Sequence, residues 1–320
     1  MIILGSSDVG AINYLLNIDK LVKKKIWILD SNKKKLVRKN QYASVKSLSK
    51  IKKINLIITG SAIGNSIDKK LIKFGIKNNI FTVSIIEHWT NYLTRFVYKK
   101  KKIFPNLIFV NDIFAYKSAI KEGIPAHKLL IMGNIFFENF SKKKIRKTLS
   151  EWAQKIKNQN KKIYLYVSEE ILSDKTYSKK EYELDEFNTL KKIIKAITKN
   201  DILIIKCHPD EKTSKYQHFA NKNIIIRKNM NFSDIVNLPD KIIGIKSILL
   251  LQISIFRNDI ISYRPNKDNQ YIGDKIKCTK LVRVNLKNFL NKKITNNNAL
   301  KNYFNGSSQK IKKYLKKKLI

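Results

Sequence analysis

Short runs of apolar residues alternate with amphipathic stretches along most of the chain. In the first half, β-like runs lie at 2–4, 26–29, 56–59, 82–86, 107–110 and 129–132. Helical spacing is found between them at 65–74 and 113–121. The second of these segments is followed by Gly123 and Pro125, residues that end helices. Such alternation is typical of a parallel sheet with crossover helices.

A polar, charge-dense segment at 141–161 interrupts this pattern around a short predicted helix that contains Trp152. Beyond it the alternation resumes, with strands predicted at 163–167, 202–206, 224–226, 241–243 and 260–263, and helices at 183–198 and from Ser247. The pattern predicts an α/β protein of two Rossmann-like domains that face a central cleft. We place the first domain at 1–145 and the second at 146–320.

Composition is consistent with two folded domains. The chain has 320 residues, of which 43% are hydrophobic, and no apolar run approaches the roughly 18 residues of a membrane span. The segment at 1–5 lacks the basic region of a secretory signal, so we expect a cytoplasmic protein. Cys207 and Cys278 are too few and too far apart for a disulfide framework or a zinc site, so we expect two buried thiols and no bound metal.

The formal charge of +42 could indicate a nucleic-acid or membrane partner. Lys, Asn and Ile are abundant together, and the lysine runs fall at the edges of predicted elements, which favours solvated faces. Aromatic residues are not interleaved with these runs, so we expect no nucleic-acid partner. In the segment 310–320, Ile311, Leu315 and Leu319 recur at helical spacing among six lysines. This helix either lies on an anionic membrane as a peripheral contact or packs on the core.

Ligands of open α/β sheets bind beyond the carboxyl ends of the strands, so the residues after each strand are the candidates for a site. The first such loop runs from Gly5 to Gly10 and carries Ser7 where the dinucleotide fingerprint has its middle glycine, with Asp30 after the second strand. It is either a nucleotide-facing or acceptor-facing loop or a glycine turn that admits the first helix.

The segment 87–96 follows the strand at 82–86 and combines an acid, an imidazole, rings and a cation. Rings stack on sugar faces and an acid can take a hydroxyl proton, so this composition suits a sugar site. The alternative is that Trp89 and Phe96 belong to the core. The residues assigned to this site are Glu87, His88, Trp89, Tyr92 and Arg95.

Two further candidates lie in the second half. Pro209 holds His208 in an extended conformation next to Lys206, where the imidazole can contact a phosphate. Gly244 permits a tight turn before Ser247, which would cap a helix whose free backbone N–H groups form an anion site.

These residues resemble the donor half of GT-B glycosyltransferases that carry a His-Pro motif, a group that includes bacterial sialyltransferases and polysialyltransferases. The resemblance implies an acceptor-side domain with Gly5 and Ser7 at the cleft, and a donor domain in which His208 and Ser247 contact the nucleotide phosphate. An acidic pair followed by glycine, which supplies the base in the sialyltransferases, is absent from the first half. Glu87 is therefore taken as the catalytic base, and Glu169-Glu170 is a weaker candidate for that role. Gln252 stands where many GT-B enzymes hold a ribose with glutamate.

The predicted activity is therefore an inverting, metal-independent glycosyl transfer without a cofactor. The donor would be CMP-sialic acid or a related CMP-nonulosonic acid, and the acceptor a bacterial surface glycan or glycolipid. Glu87 or His88 would be the base, while Lys206, His208 and the Ser247 turn would stabilise the departing CMP. The alternatives are an NAD-dependent sugar epimerase or oxidoreductase, a basic nucleic-acid-binding protein, and an inactive transferase.

Overall fold

The computed structural model describes residues 1–37, 42–171, 186–265, 271–293, 295–296 and 300–319. The chain falls into two compact units. Unit 1 consists of Met1–Phe140 together with Phe304–Ile320, and unit 2 of Ser141–Tyr303.

The strands follow one another in the order β1 (Ile2–Ser6), β2 (Lys25–Leu29), β3 (Tyr42–Ala43), β4 (Leu56–Thr59), β5 (Thr82–Ile86), β6 (Val97–Tyr98), β7 (Lys101–Lys102), β8 (Leu107–Val110), β9 (Leu129–Ile131), β10 (Ile163–Val167), β11 (Ile202–Lys206), β12 (Ile224–Arg227), β13 (Lys241–Gly244), β14 (Ile260–Tyr263) and β15 (Lys280–Val282). The helices are α1 (Val9–Asp19), α2 (Ile67–Lys77), α3 (Ile113–Lys121), α4 (Ile135–Ser141), α5 (Glu151–Lys157), α6 (Glu186–Ala196), α7 (Phe232–Asn237), α8 (Ile248–Ser254), α9 (Ile272–Lys275), α10 (Leu286–Asn291), α11 (Leu300–Tyr303) and α12 (Ser307–Leu319). Short 3-10 turns lie at Ser31–Leu36, Val45–Lys50, Thr94–Phe96, Ala126–Lys128 and Thr213–Phe219.

Unit 1 contains a seven-stranded parallel sheet in the order β3-β2-β1-β4-β5-β8-β9. The chain winds outward from β1 to β3 and then crosses back to β4, so the topological switch point lies between β1 and β4. Burial on both faces explains the continuous apolar runs that identified these strands in the sequence.

Unit 2 repeats this plan with six parallel strands in the order β12-β11-β10-β13-β14-β15. Its switch point lies between β10 and β13. The two-domain Rossmann-like α/β fold predicted from the sequence is therefore confirmed. The predicted strands lie where expected, and the part of the predicted helix at 183–198 that precedes Glu186 lies outside the described residues.

The carboxyl-terminal helix belongs to unit 1, whereas the sequence prediction placed it in the second domain. Ile311 and Leu315 of α12 are fully buried in the unit 1 core, in the same cluster as Tyr14 and Ile135. Glu138 of α4 holds the start of α12 by accepting a 2.6 Å hydrogen bond from the backbone N–H of Ser308. Ile311 and Leu315 of the apolar stripe are thus core residues of unit 1. Among the described residues, every helix is too short or too polar to cross a lipid bilayer.

Candidate functional site

The carboxyl edge of the unit 1 sheet carries a buried acid, Glu87, directly after β5. Its side chain is 8% exposed, and neither carboxylate oxygen has a hydrogen-bond partner among the residues that the structure describes. His88 Nε2 lies 3.5 Å from Glu87 Oε1. Gly10, at the start of α1, leaves the space in front of the carboxyl open, because a Cβ there would lie 3.4 Å from Glu87 Oε1. An unpaired buried carboxyl is costly, and such groups mark functional sites.

The surroundings of Glu87 and His88 favour the uncharged form of both groups. Burial, together with the negative charge of Asp8, raises the pKa of Glu87 to about 8. Burial and the positive charge of Arg95 lower the pKa of His88. At neutral pH the pair therefore consists of a carboxylic acid, which can donate a proton, beside an imidazole, which can accept one.

Among the residues that the structure describes, two groups of side chains could supply three ligand atoms to a metal ion. In unit 1, ligand atoms of Asp8, Glu87 and His88 lie within 4.8 Å of one another. However, Asp8 Oδ1 already accepts a 2.7 Å hydrogen bond from the backbone N–H of Gly10, and the nearby charge of Arg95 opposes a cation. These contacts make the cluster a poor fit for a cation.

The second group, Glu170, His208 and Asp210, lies in unit 2 and is more open to solvent. The distance between His208 Nδ1 and Asp210 Oδ2 is 3.6 Å. The sequence did not show the third member of either group, because Asp8 and Glu170 follow different strands from their partners.

The polar groups of the loop from Gly5 to Gly10 are bonded to other residues of unit 1. Asp68 of α2 accepts hydrogen bonds from the Ser7 backbone N–H at 2.9 Å and from Ser6 Oγ at 2.8 Å. Ser7 Oγ accepts another from the Ile67 N–H. Gly5 is required for packing, since a Cβ there would lie 2.5 Å from Leu71 Cδ1. This loop is therefore a turn that admits the first helices, the second of the two interpretations of its sequence.

Three residues predicted to line an acceptor site make internal contacts instead. Trp89 Nε1 donates a 2.7 Å hydrogen bond to Asp112, and its ring packs near Phe137 and Phe304. Tyr92 is 1% exposed. Arg95 is buried and donates to the carbonyl oxygens of Thr90 and Ser61. Of the predicted sugar-binding segment, only Glu87 and His88 remain available for chemistry.

In unit 2, Glu211 fixes the turn that presents His208. Its Oε2 accepts a 2.7 Å hydrogen bond from the His208 backbone N–H, and its Oε1 accepts others from Ser168 Oγ and Tyr216 OH. The imidazole is 39% exposed beside the exposed Pro209. Lys206 is buried, which lowers its pKa, and its ammonium donates to the Cys207 carbonyl oxygen. His208 is thus held at the strand end, as the His-Pro sequence predicted.

The backbone N–H groups of the turn between β13 and α8 are largely bonded within unit 2. Glu169 Oε1 accepts a 2.6 Å hydrogen bond from the Lys246 N–H, and the carboxylate also receives bonds from the backbone of Ile245 and Ser247. Burial raises the pKa of Glu169 to about 7. Ser247 caps α8 by accepting from the Leu249 N–H.

The neighbours of this turn have separate roles. Gly244 is needed because a Cβ there would lie 2.9 Å from the Leu250 side chain. Gln252 is partly exposed in α8. The predicted open anion site is therefore occupied by the carboxyl group of Glu169 in the same unit.

Sequence reasoning missed the roles of Asp8 and Asp68 and gave Glu169 only as a weak candidate base. Asp68 bonds to residues 61 and 62 positions earlier in the chain, and Glu169 to one 77 positions later. One feature of the sequence could have pointed to these three acids. Each lies directly after a predicted strand or in the first turn of the following helix.

Two Rossmann-like units in one chain define the GT-B class of fold. No protein-family model and no curated protein matches this sequence. Solved structures do match. The UDP-GlcNAc 2-epimerase of Methanocaldococcus jannaschii has a TM-score of 0.64 at 16% identity, with 99% of each chain covered.

Two further structures are similar over the same length. The S. aureus MnaA–UDP structure has a TM-score of 0.70 at 11% identity, covering 99% of this chain and 96% of that one. Anabaena HepE in complex with UDP and glucose has a TM-score of 0.69 at 11% identity, covering 99% of both. At these identities the likeness establishes the fold, which is GT-B-like.

The comparisons overturn the predicted activity. The structures that match along the whole chain include several UDP-GlcNAc 2-epimerases, so the expectation of a CMP-sialic acid glycosyltransferase is wrong. The physical reason is that a His-Pro turn and a glycine before a helix shape the backbone at a strand end. They do not distinguish one reaction from another.

Proposed function

We propose that this chain is a nucleotide-sugar epimerase whose substrate is a uridine diphosphate sugar. Support comes from the fold, which is similar along almost the whole chain to proteins described as UDP-GlcNAc 2-epimerases and to proteins with bound UDP. The unit 1 site supports the same proposal on chemical grounds.

The observation that carries the proposal is the uncharged Glu87–His88 pair. Inversion at C2 of a UDP-sugar can proceed by removal of the C2 proton as the C1–O bond to UDP breaks, followed by protonation of C2 from the other face as that bond forms again. Glu87 is a donor at neutral pH because its pKa is raised to about 8, and the neutral imidazole of His88 is an acceptor. Neither carboxyl oxygen has a hydrogen-bond partner among the described residues, and Oε1 lies 3.5 Å from His88 Nε2, so the carboxyl can bond to a substrate.

We assign the nucleotide to the carboxyl edge of unit 2. His208 follows β11 and Lys246 follows β13, the strands on either side of β10 at the switch point. Ligands of such sheets bind at this place. An exposed imidazole and an ammonium group suit a diphosphate, because both can donate hydrogen bonds to phosphate oxygens.

The experiment that tests the reaction follows the substrate carbon directly. The protein is incubated with UDP-GlcNAc in D2O, and proton NMR records loss of the C2 proton signal and growth of the C2 epimer. We expect Glu87→Gln to lower the exchange rate at least 100-fold, the lower end of what a proton-transfer group contributes. Glu151→Gln, the same exchange at an exposed position of α5, is the control and should keep the wild-type rate.

A thermal-shift comparison of UDP, CMP and NAD tests the nucleotide separately. UDP at 100 times its Kd should stabilise the folded protein by about 2.7 kcal/mol. Stabilisation by NAD or CMP but not by UDP would contradict the assigned nucleotide. Binding of UDP without exchange at C2 would retain the nucleotide and reject the epimerisation.

A further inference from the structure

Unit 2 has a concave surface at the amino edge of its sheet, opposite to the edge that carries His208. It is a pocket of about 530 Å³ formed where β10 and β13 begin and where α5 and α10 end. We call it the lysine pocket. Its lining consists of Lys157, Asn160, Lys161, Lys162, Tyr164, Asp240, Lys241, Leu290, Asn291, Lys292 and Lys293.

Lysine is concentrated in this pocket beyond what the composition explains. Lys and Arg together make up 66 of the 320 residues, about one in five, whereas six of the eleven lining residues are lysines. Among these described lining residues Asp240 is the one acid. Its Oδ2 accepts a 2.8 Å hydrogen bond from the Ile163 N–H, and its Oδ1 lies 3.7 Å from the Lys157 ammonium. The pocket therefore carries a large excess of positive charge.

Hydrogen bonds hold part of this charge in place. The Lys241 ammonium donates a 2.9 Å bond to the Lys292 carbonyl oxygen, which joins the start of β13 to the end of α10. Burial, together with the nearby Arg257, lowers the pKa of Lys241, although Asp259 opposes this shift. Lys161 donates to Asn223 Oδ1 at 3.2 Å. The side chains of Lys162 and Lys293 are exposed at the rim, where a ligand can reach them.

We propose that the lysine pocket binds an oligophosphate, a ligand with several linked phosphate groups. The volume lies in the range of small-molecule sites and exceeds what a single phosphate fills. Ammonium groups arranged around a concavity suit a chain of phosphates, because each is a strong point charge with three donors. Nine of the eleven lining residues are lysine, asparagine or aspartate, which favours a hydrated anion over an apolar compound. This inference does not depend on the proposed epimerase activity, since it concerns the opposite edge of the sheet.

Binding of inorganic tripolyphosphate to the full chain, measured by calorimetry in 150 mM NaCl, tests the proposal. We expect the double variant K162E/K293E to weaken binding at least tenfold. The control K23E/K24E makes the same change of net charge at two exposed lysines of unit 1 and should bind as the wild type does. Circular dichroism checks that both double variants are folded. If K162E/K293E is unfolded, K162Q/K293Q replaces it.

Two further measurements locate the ligand and identify its source. Saturation with UDP should leave tripolyphosphate binding unchanged, and acetylation of Lys162 and Lys293 should slow at least threefold when tripolyphosphate is bound. ATP in place of tripolyphosphate distinguishes a nucleoside polyphosphate from an inorganic one. Equal weakening in both double variants would assign the binding to the overall charge and overturn the proposal. Absence of tripolyphosphate binding would overturn it as well.

Discussion

The Glu169 carboxylate accepts a 2.6 Å hydrogen bond from the backbone N–H of Lys246, and this bond spans the switch point of the unit 2 sheet. Unit 1 has a similar arrangement, in which Asp68 after β4 accepts from the N–H of Ser7 after β1. Here the acid follows its partner in the chain, whereas Glu169 precedes Lys246. In each unit an acid links the ends of the two strands at which the winding changes direction. The backbone groups that the fold offers to anions are thereby satisfied internally.

Removing the acid at the unit 2 switch point should expose these donors. We expect Glu169→Ala to lower the free energy of unfolding by about 1–3 kcal/mol, the cost of leaving buried donors without an acceptor. Added phosphate should restore part of the melting temperature in this variant and have a smaller effect on the wild type. Glu170→Ala, at the adjacent and less buried position, is the control. Equal melting temperatures of the two variants would contradict this role of Glu169.

Glu87 should make stability fall as the pH rises. Its pKa is about 8 in the folded protein and about 4.5 when unperturbed, so between these values the folded state binds more protons than the unfolded state. Each pKa unit corresponds to about 1.4 kcal/mol. Glu87→Gln carries no charge and should therefore match the wild type near pH 4.5 and exceed its melting temperature at pH 8.5. A difference that does not change with pH would refute the raised pKa.

Gly133 should tolerate no side chain. Its φ is +79°, and a Cβ would lie 2.0 Å from Ser307 Oγ at the start of α12. Gly64 has a φ of +81° with no atom within 4 Å of its Cβ position, which makes it a matched control. We expect Gly64→Ala to cost about 1–2 kcal/mol from the backbone alone. Gly133→Ala should cost at least about 1 kcal/mol more from the added overlap. Urea denaturation of both variants measures the difference.

Leu315 should matter for stability through its apolar contacts in the unit 1 core. It is 2% exposed, so Leu315→Ala should lower the free energy of unfolding by about 2–5 kcal/mol. Lys313→Ala, on the exposed side of α12, should change it by less than about 0.5 kcal/mol. If Leu315→Ala kept full stability but lost binding to anionic vesicles, the membrane interpretation of this helix would be restored.

The sequence was sufficient to predict the helices and strands. It was insufficient to predict which side chains bond to the backbone groups at their ends. Strands such as β5 and β8 could be predicted because strands buried on both faces are continuous apolar runs, and α3 because Gly123 and Pro125 mark its end. His208 could be placed at a strand end because proline restricts the residue before it. These are local effects of neighbouring residues.

The remaining features depend on partners that are distant along the chain. The N–H groups of Ser7 and Lys246 looked available in the sequence, but Asp68 and Glu169 occupy them. The stripe of α12 was equally compatible with a membrane and with a core until Ile311 was seen to pack near Tyr14. The reaction could not be predicted from the His-Pro turn, because the same fold supports different activities.

The segment 304–320 completes the core of unit 1, although 163 residues of unit 2 separate it from the rest of that unit. During synthesis from the amino end, a ribosome produces all of unit 2 before Ile311 and Leu315 appear. The packing of unit 1 can therefore be completed only after the whole of unit 2 has been synthesised.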